Sequence, residues 1–600
     1  MFLRLPKENK QETKEDIAML EQLSWKIGGQ QGDGIESAGA IFATTLNRLG
    51  YHLYGYRQFS SRIRGGHTDN TLRIGVRPLD SVADNVELLV AFDQETLTLS
   101  AAEVVAAGII LADAAFSPTL PAGAAAPLCA IPLTELAKAA GSVMQRNVVA
   151  LGATAAVMDL PPEPFLDVVG KWYERQGPKV VADNRQAFDA GYRFIQENPT
   201  AAARTLGLQP GDGQTRIFGI GNEAVALGAI AGGCRFLSAY PITPSSEIME
   251  YMIKRLPELG GIAVQTEDEI AACTMAIGAA YAGARAMTAS SGPGLALKTE
   301  AIGLAGMTET PLVIVDTQRA GPSTGMPTKQ EQADLLAMLF GTPGEIPKIV
   351  LAPSDVEEAF YDAAEAFNLA EEYQCPVILL TDLQLALGLQ TAEPYDLSRV
   401  AIRRGKLADP AALPPLENPA YFSRYQVTED GISPRTIPGM KYGIHHVTGL
   451  EHAESGKPSE DMANRRRQME KRLRKTRSLP ARFATPVWTD GQDDAAVDIL
   501  LIGMGSTRGA IREAARQLRQ DGHRVRQAPL RLLWPFPAEQ LTPLLRQAQH
   551  ILVVENNATA QLAGLIRMQT SSGAELKSIL KYDGRLFTPG EIYRQCKEMI

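Results

Sequence analysis

The sequence predicts an α/β protein of three open parallel-sheet domains. In three separate stretches, short apolar runs of strand length alternate with helical patterns, the rhythm of parallel α/β units. Each stretch holds a strand that runs through a glycine turn into a helix, at Gly28–Gly34, Gly219–Gly221 and Gly503–Gly505. With 600 residues, 45% hydrophobic and 21% charged, the chain can bury several cores.

Residues 1–24 read as a charged N-terminal extension. The first domain, 25–196, opens on the strand Leu23–Ile27 and the turn Gly28–Gly34, with further strands near Leu72–Val76, Leu88–Phe92 and Gly108–Leu111. A polar linker, Glu197–Thr215, leads to the second domain, 215–390, which begins with the strand Arg216–Ile220 and closes on the strand Pro376–Thr381. Inside it stand Ala239-Tyr-Pro-Ile-Thr-Pro-Ser-Ser246, an apolar stretch Gly261–Val264, Gln265-Thr-Glu-Asp-Glu269 and a helix of small residues, Ile270–Gly283. Ser290-Ser-Gly-Pro-Gly294 follows, then an apolar strand ending in Asp316-Thr-Gln-Arg319. Residues 391–494 are rich in Pro and charge and predict a connecting arm over the surface. Within the arm, Arg465–Arg477 has eight Lys or Arg and one Glu. It predicts a solvated amphipathic helix with Met462, Met469 and Leu473 inward; the alternative is a docking site for an acidic partner or phosphates. The third domain, 495–600, starts at Val497–Ile502 and has strands near Val525–Pro529 and His550–Val554.

A net charge of -9 and a pI near 5.5 argue against nucleic acid as a partner. No run of about 18 apolar residues exists, which excludes a helical membrane span. The first residues turn charged without an apolar core, so a cytoplasmic protein is expected rather than a secreted one. Cys129, Cys234, Cys273, Cys375 and Cys596 lie far apart, as buried thiols of a reducing compartment do. The three glycine turns could offer N–H groups to phosphate. None is a full GxGxxG followed by an acid, so ordinary strand-to-helix turns are the plainer reading than a nicotinamide or flavin site.

The order Tyr240-Pro-Ile-Thr-Pro244, Glu269 with its small-residue helix, Ser290–Gly294 and Arg319 resembles the pyrimidine-binding domain of thiamine-diphosphate-dependent 2-oxoacid:ferredoxin oxidoreductases. The resemblance is close over 25–390, looser over 495–600, which is similar to a transketolase C-terminal domain, and weak over the arm. It implies that Glu269 hydrogen-bonds the pyrimidine N1′ and favours the imino tautomer that takes the C2 proton. Glu267 is the alternative, and three acids also suit a helix N-terminus. It further implies Thr243 beside the reacting carboxylate and Arg319 as a bidentate fork for it. Ser323, Thr324 and Lys329, in a stretch resembling 2-oxoglutarate-type chains, would help shape the acid-specific pocket. The first domain resembles the separate γ subunit of these enzymes, fused here in front of α. Its turn glycines Gly29, Gly32 and Gly34, with Arg62 and Arg64 of the loop Ser60–His67, would then suit coenzyme A phosphates; a polar domain interface is the plain alternative.

In this family Gly-Asp-Gly is followed by Asn-Asn where Mg²⁺ clamps the diphosphate. The copies at 32–34 and 211–213 have no such partner, and Asn47, Asn222 and Asn556-Asn557 are misplaced for one. The resemblance therefore puts Mg²⁺, the diphosphate half of the site and a [4Fe-4S] cluster on a β subunit, with no metal on this chain. Clusters need closely spaced thiolates, which the five cysteines do not offer. A dimer of heterodimers passing electrons to ferredoxin is expected. The implied reaction is 2-oxoglutarate + CoA + oxidised ferredoxin ⇌ succinyl-CoA + CO₂ + reduced ferredoxin, usable in the reductive tricarboxylic acid cycle. The same reaction on pyruvate, a branched-chain or an aryl 2-oxoacid is one alternative; a non-catalytic scaffold subunit is the other.

Overall fold

The computed structural model describes residues 19–59, 66–198, 201, 204–416, 421–489 and 497–600; Arg62 and Arg64 fall outside them. The chain divides into two compact units. The first comprises Met1–Leu53, Ile63–Leu79 and Asn85–Thr215, the second Tyr54–Arg62, Asp80–Asp84 and Arg216–Ile600.

In the first unit the strands are β1 (Gln22–Gln30), β2 (His52–Gln58), which runs on into the second unit, β3 (His67–Gly75), β4 (Val86–Ala91), β5 (Val104–Asp113) and β6 (Leu128–Ile131). The sheet order β6-β5-β4-β1-β3 is parallel except for β3, antiparallel to β1. The expected parallel sheet holds with β3 as the antiparallel member: the chain leaves β1 through the helix Ile35–Arg48, forms β2 and returns in β3 against β1. β1 is buried along nearly its whole length, and Trp25 starts an aromatic row through Phe42, Phe165 and Phe188 at 4.5, 6.0 and 5.5 Å. The linker packs back on this unit: Leu206 donates to Val157 O at 2.7 Å, and Leu208 bridges to Leu20.

In the second unit the strands are β7 (Ile217–Ile220), β8 (Phe236–Ala239), β9 (Ile262–Gln265), β10 (Ala286–Ser290), β11 (Leu312–Gln318), β12 (Ile349–Leu351), β13 (Pro376–Asp382), β14 (Leu389–Ala392), β15 (Val497–Ile502), β16 (Val525–Gln527), β17 (Leu532–Trp534), β18 (Ala548–Glu555) and β19 (Leu576–Leu580). The main sheet has the order β17-β12-β13-β11-β10-β8-β9. Its centre, β11, is buried at every residue, as expected of an apolar strand covered on both faces. The opening strand of the second domain does not join this sheet: β7 pairs antiparallel with β14. The third segment forms its own parallel sheet, β16-β15-β18-β19, but sends β17 across to lie antiparallel to β12. One apolar core accordingly holds Ile314, Leu295 and Leu335 together with Leu500, Leu562 and Leu565.

The basic helix of the arm spans Met462–Arg474, with Asp461 accepting from Asn464 N at 2.6 Å as N-cap. Of the three residues that apolar spacing places inward, Met469 and Leu473 are half-buried and Met462 is not. Met462 is 87% exposed, while Asn464, Gln468, Lys471 and Arg472 are buried. Lys471 Nζ lies 2.7 Å from Glu309 Oε1 and Lys475 Nζ 2.5 Å from Oε2, all three side chains fully buried. The two lysines can be buried because a buried carboxylate from another part of the chain compensates their charges.

Candidate active site

Thr243 sits in the loop leaving β8, at the carboxyl ends of the parallel strands where open α/β sheets bind ligands. Asn222, buried, holds this loop by donating Nδ2 to Pro244 O at 2.6 Å and to Glu247 Oε2 at 3.2 Å. Arg319 emerges from the next residue after β11. Its guanidinium donates to Thr243 O at 2.6 Å and Thr324 O at 3.2 Å, so the structure brings three of the sequence-predicted residues together. Burial lowers the Arg319 pKa, opposed by Asp334. The segment after Arg319 folds back, with Ala320 N donating to Lys329 O and Met326 N to Ala320 O. Gly325 is required at its tip: with φ at 47°, a Cβ there would stand 1.9 Å from Ala320 O. Ser323 and Thr324 are exposed on this turn. Lys329 turns elsewhere and donates Nζ to Gln58 Oε1 at 3.1 Å.

Glu269 is the first residue of the helix Glu269–Tyr281. Asp268 is its N-cap, accepting from Ala271 N at 2.7 Å, and Glu267 is exposed, which leaves Glu269 as the half-buried acid of the three. Small residues let the next helix, Gly292–Met307, approach closely. A Cβ on Gly294 would lie 2.9 Å from Glu269 Cγ and 2.2 Å from Ser290 Oγ. The Glu269 helix buries Cys273, Ala276 and Ile277 and leaves Ile270, Met275 and Gly278 outward.

Sequence reasoning missed Lys298, Asp316 and Asp334, buried or half-buried ionisable groups under these residues. Lys298, in a helix of mostly small and apolar residues, was the one available signal. Asn556 and Asn557 are structural: Asn557 Nδ2 donates to Gln332 O at 3.2 Å and Glu555 Oε2 at 2.8 Å. All five cysteines are free and buried, and among the described residues no three His, Cys, Asp or Glu side chains form a metal-sized group.

In the first unit, the turn Gly28–Gly34 feeds the helix Ile35–Arg48, whose N-terminus has no side-chain cap. Gly32 has φ at 108° and nothing within 4 Å of a Cβ position, while a Cβ on Gly34 would meet Asn147 at 2.7 Å. A Cβ on Gly29 would meet Phe92 at 3.0 Å. Asp33 is paired with Arg146 at 2.8 Å, and the guanidinium lies 4.6 Å over the Phe92 ring. The turn is thus open at Gly32, ahead of a helix start that no side chain caps.

Three family models cover this chain in succession. Residues 24–194 match the pyruvate ferredoxin/flavodoxin oxidoreductase model. Residues 227–472 match the pyruvate flavodoxin/ferredoxin oxidoreductase thiamine diphosphate-binding model, and 497–592 the pyruvate:ferredoxin oxidoreductase core domain II model. The alpha subunit of 2-oxoacid:ferredoxin oxidoreductase 2 from Aeropyrum pernix is 35% identical over 96% of this chain and 98% of its own. The 2-oxoglutarate synthase subunit KorA of Methanothermobacter thermautotrophicus is 37% identical over 63% of this chain and 97% of its own. The solved 2-oxoglutarate:ferredoxin oxidoreductase from Magnetococcus marinus, with 2-oxoglutarate, coenzyme A and succinyl-CoA bound, superposes with a TM-score of 0.90 at 35% identity, over 96% of this chain and 99% of that one. The fold and these relatives define an oxidoreductase subunit of mixed α/β architecture. The chain belongs to the 2-oxoacid:ferredoxin oxidoreductases, as an alpha subunit with the γ-type domain fused at its front.

Proposed function

We propose that this alpha chain serves a CoA-acylating oxidoreductase whose acid is 2-oxoglutarate. The 2.6 Å hydrogen bond from Arg319 to Thr243 O carries the reading, because it fixes a guanidinium beside a threonine at the strand ends. A guanidinium has five N–H donors. Two are used by Thr243 and Thr324, and each terminal nitrogen keeps one N–H for a substrate carboxylate. Coming from both nitrogens, these two N–H groups suit the two oxygens of one carboxylate.

Glu269, bare Gly294 and the apolar outward face of Ile270, Met275 and Gly278 fit the pyrimidine ring of thiamine diphosphate. When bound, that cofactor supplies an acidic carbon that adds to the 2-oxo carbon of the substrate. Glu269 would hold the proton shared with the ring nitrogen, while Thr243 and Arg319 orient the acid. Gly29, Gly32 and Gly34 are the proposed contacts of the first unit to coenzyme A, with Arg62 and Arg64 completing the set. A β subunit carrying Mg²⁺, the diphosphate site and a [4Fe-4S] cluster, ferredoxin as acceptor, a dimer of heterodimers and a cytoplasmic setting complete the proposal. The choice of 2-oxoglutarate is supported by what the Magnetococcus marinus enzyme binds and by the name of the Methanothermobacter relative.

The test is reconstitution with the β chain and a substrate panel of 2-oxoglutarate, pyruvate and 2-oxoisovalerate, read as CoA-dependent ferredoxin reduction. The highest kcat/KM is expected for 2-oxoglutarate. A preference for pyruvate would remove the substrate assignment and leave family membership standing. No turnover on any acid would favour the scaffold reading.

A further inference from the structure

We propose that Asp316 is a buried positioning acid which, with Ser290 and Lys298, sets the charge at both ends of this pocket: Glu269 at one and the Asp334–Arg319 pair at the other. The proposal rests on the reading of Glu269 and Arg319 given above.

Asp316 is fully buried and pairs in register with Ser290 of β10 and Leu380 of β13. Neither of its carboxyl oxygens has a hydrogen-bond partner, nor do the buried hydroxyls of Ser290 and Ser291. An ionised carboxylate could not rest there unpaired, so the group keeps its proton. Ser290 lies toward the cofactor end: the position of a Cβ on Gly294 is 2.2 Å from Ser290 Oγ and 3.0 Å from Glu269 Oε1, so hydroxyl and carboxyl border the same bare glycine.

The substrate end is reached along the strand. Gln318, two residues after Asp316, accepts from Asp334 N at 3.1 Å. Asp334 packs its carboxyl against the start of the Gly292–Met307 helix, 2.5 Å from a Cβ position on Gly292. Lys298 lies below, fully buried, donating to Thr288 Oγ1 at 2.9 Å and Ala289 O at 3.4 Å, with no ion pair among the described residues.

The charged groups around Asp316 come from every side. Lys298 is on the Gly292–Met307 helix, Glu269 and the Cys273 thiol are on the neighbouring helix, and Glu331, Asp334 and Arg319 lie beyond β11. Asp382, on β13, is held by Gln332, Leu385 and Ser506. Burial and then Asp334 push the Asp316 pKa well up, against Lys298. Burial also lowers Lys298 to about 8 and raises Asp334 to about 6. A neutral Asp316 therefore adds no negative charge beside Asp334, while Lys298 remains a buried cation of the Gly292–Met307 helix.

The reconstituted complex tests this through D316N, which keeps the shape and cannot ionise. We expect kcat and thiamine C2 proton exchange close to wild type at neutral pH, where Asn and a protonated Asp carry the same charge, and a displaced alkaline limb in the kcat profile, where only Asp316 can ionise. Infrared difference spectra of the isolated chain, wild type against D316N, should lose one protonated-carboxyl band at neutral pH. S290A must shift the same band, and it stands as the second variant if D316N fails to assemble. An absent band, or D316N matching wild type at every pH, overturns the proposal. Normal C2 exchange in E269Q would instead remove the reading of Glu269 on which it rests.

Discussion

Replacing Glu309 with Gln isolates two fully buried ammonium groups, Lys471 and Lys475, in the place where the arm meets the core. Breaking a buried pair by removing one partner costs about 3–5 kcal/mol. The second unit has roughly 400 residues, and at about 2.1 cal/mol/K per residue its unfolding entropy makes this a fall of about 4–6 °C in Tm. The pH dependence has a definite sign. Burial alone would raise the Glu309 pKa, but Lys475 and then Lys471 hold it far below the carboxylate range. A depressed carboxylate adds stability above its unfolded pKa, near 4.5, and that contribution is lost as pH falls through the folded value. Lys471, lowered to about 8 by burial, works the other way: stability rises between pH 8 and its unfolded value of 10.5. In E309Q the unpaired ammoniums should shed protons even more readily, so the gap to wild type should be widest near pH 6–7 and narrow toward both extremes. Calorimetry from pH 4 to 9 reads this directly. The triple replacement E309L/K471M/K475M, which leaves no charge unpaired, should cost less than E309Q alone. A shift below about 1 °C for E309Q, or a triple variant weaker than the single, would refute the argument.

Further outcomes follow from three residues of the pocket. E269Q should slow C2 proton exchange by roughly 10²–10⁴-fold with cofactor occupancy retained, measured by deuterium exchange; a normal rate would move the role to Glu267. R319A should lower kcat/KM for the 2-oxoacid well beyond about tenfold, since removing one partner of a buried charged hydrogen bond costs about 2–5 kcal/mol. R319K should recover only part, because an ammonium cannot keep both Thr243 and Thr324 and still offer a fork to substrate. G294A inserts a methyl 2.2 Å from Ser290 Oγ and 2.9 Å from Glu269 Cγ, so the acid must move; turnover should drop while assembly, followed by gel filtration, is unchanged.

Much of the candidate pocket was legible because local signals coincide there. Strand-length apolar runs end in Tyr240-Pro-Ile-Thr-Pro244 and Asp316-Thr-Gln-Arg319, and the small-residue helix advertises a close neighbour, which Gly294 proves to be. Asp268 as N-cap separates the three acids, a role that any of them could have taken on sequence alone. What stayed hidden depends on partners distant along the chain. Glu309 compensates Lys471 and Lys475, so hydrophobic spacing pointed to Met462, which is exposed, and missed the buried lysines. The pairing of β7 with β14 joins the two ends of a domain, and no periodicity encodes which strand an edge accepts. Asp316 read as the polar end of a strand, because burial on both sides is set by helices that the strand itself does not specify.

The antiparallel seat of β17 on β12 has a consequence for synthesis. The sheet that carries Arg319 keeps one edge open until Leu532–Trp534 have been made, close to the end of the 600-residue chain. Until then the nascent polypeptide presents a bare row of N–H and C=O groups beside an unfinished apolar core, the form of edge that invites pairing with another chain. A version halted before residue 497 should precipitate or bind a holdase, and a separately supplied 497–600 fragment should rescue it by completing that edge. The last sixth of the sequence thus works as an internal closing piece, without which the preceding domain is a half-made surface.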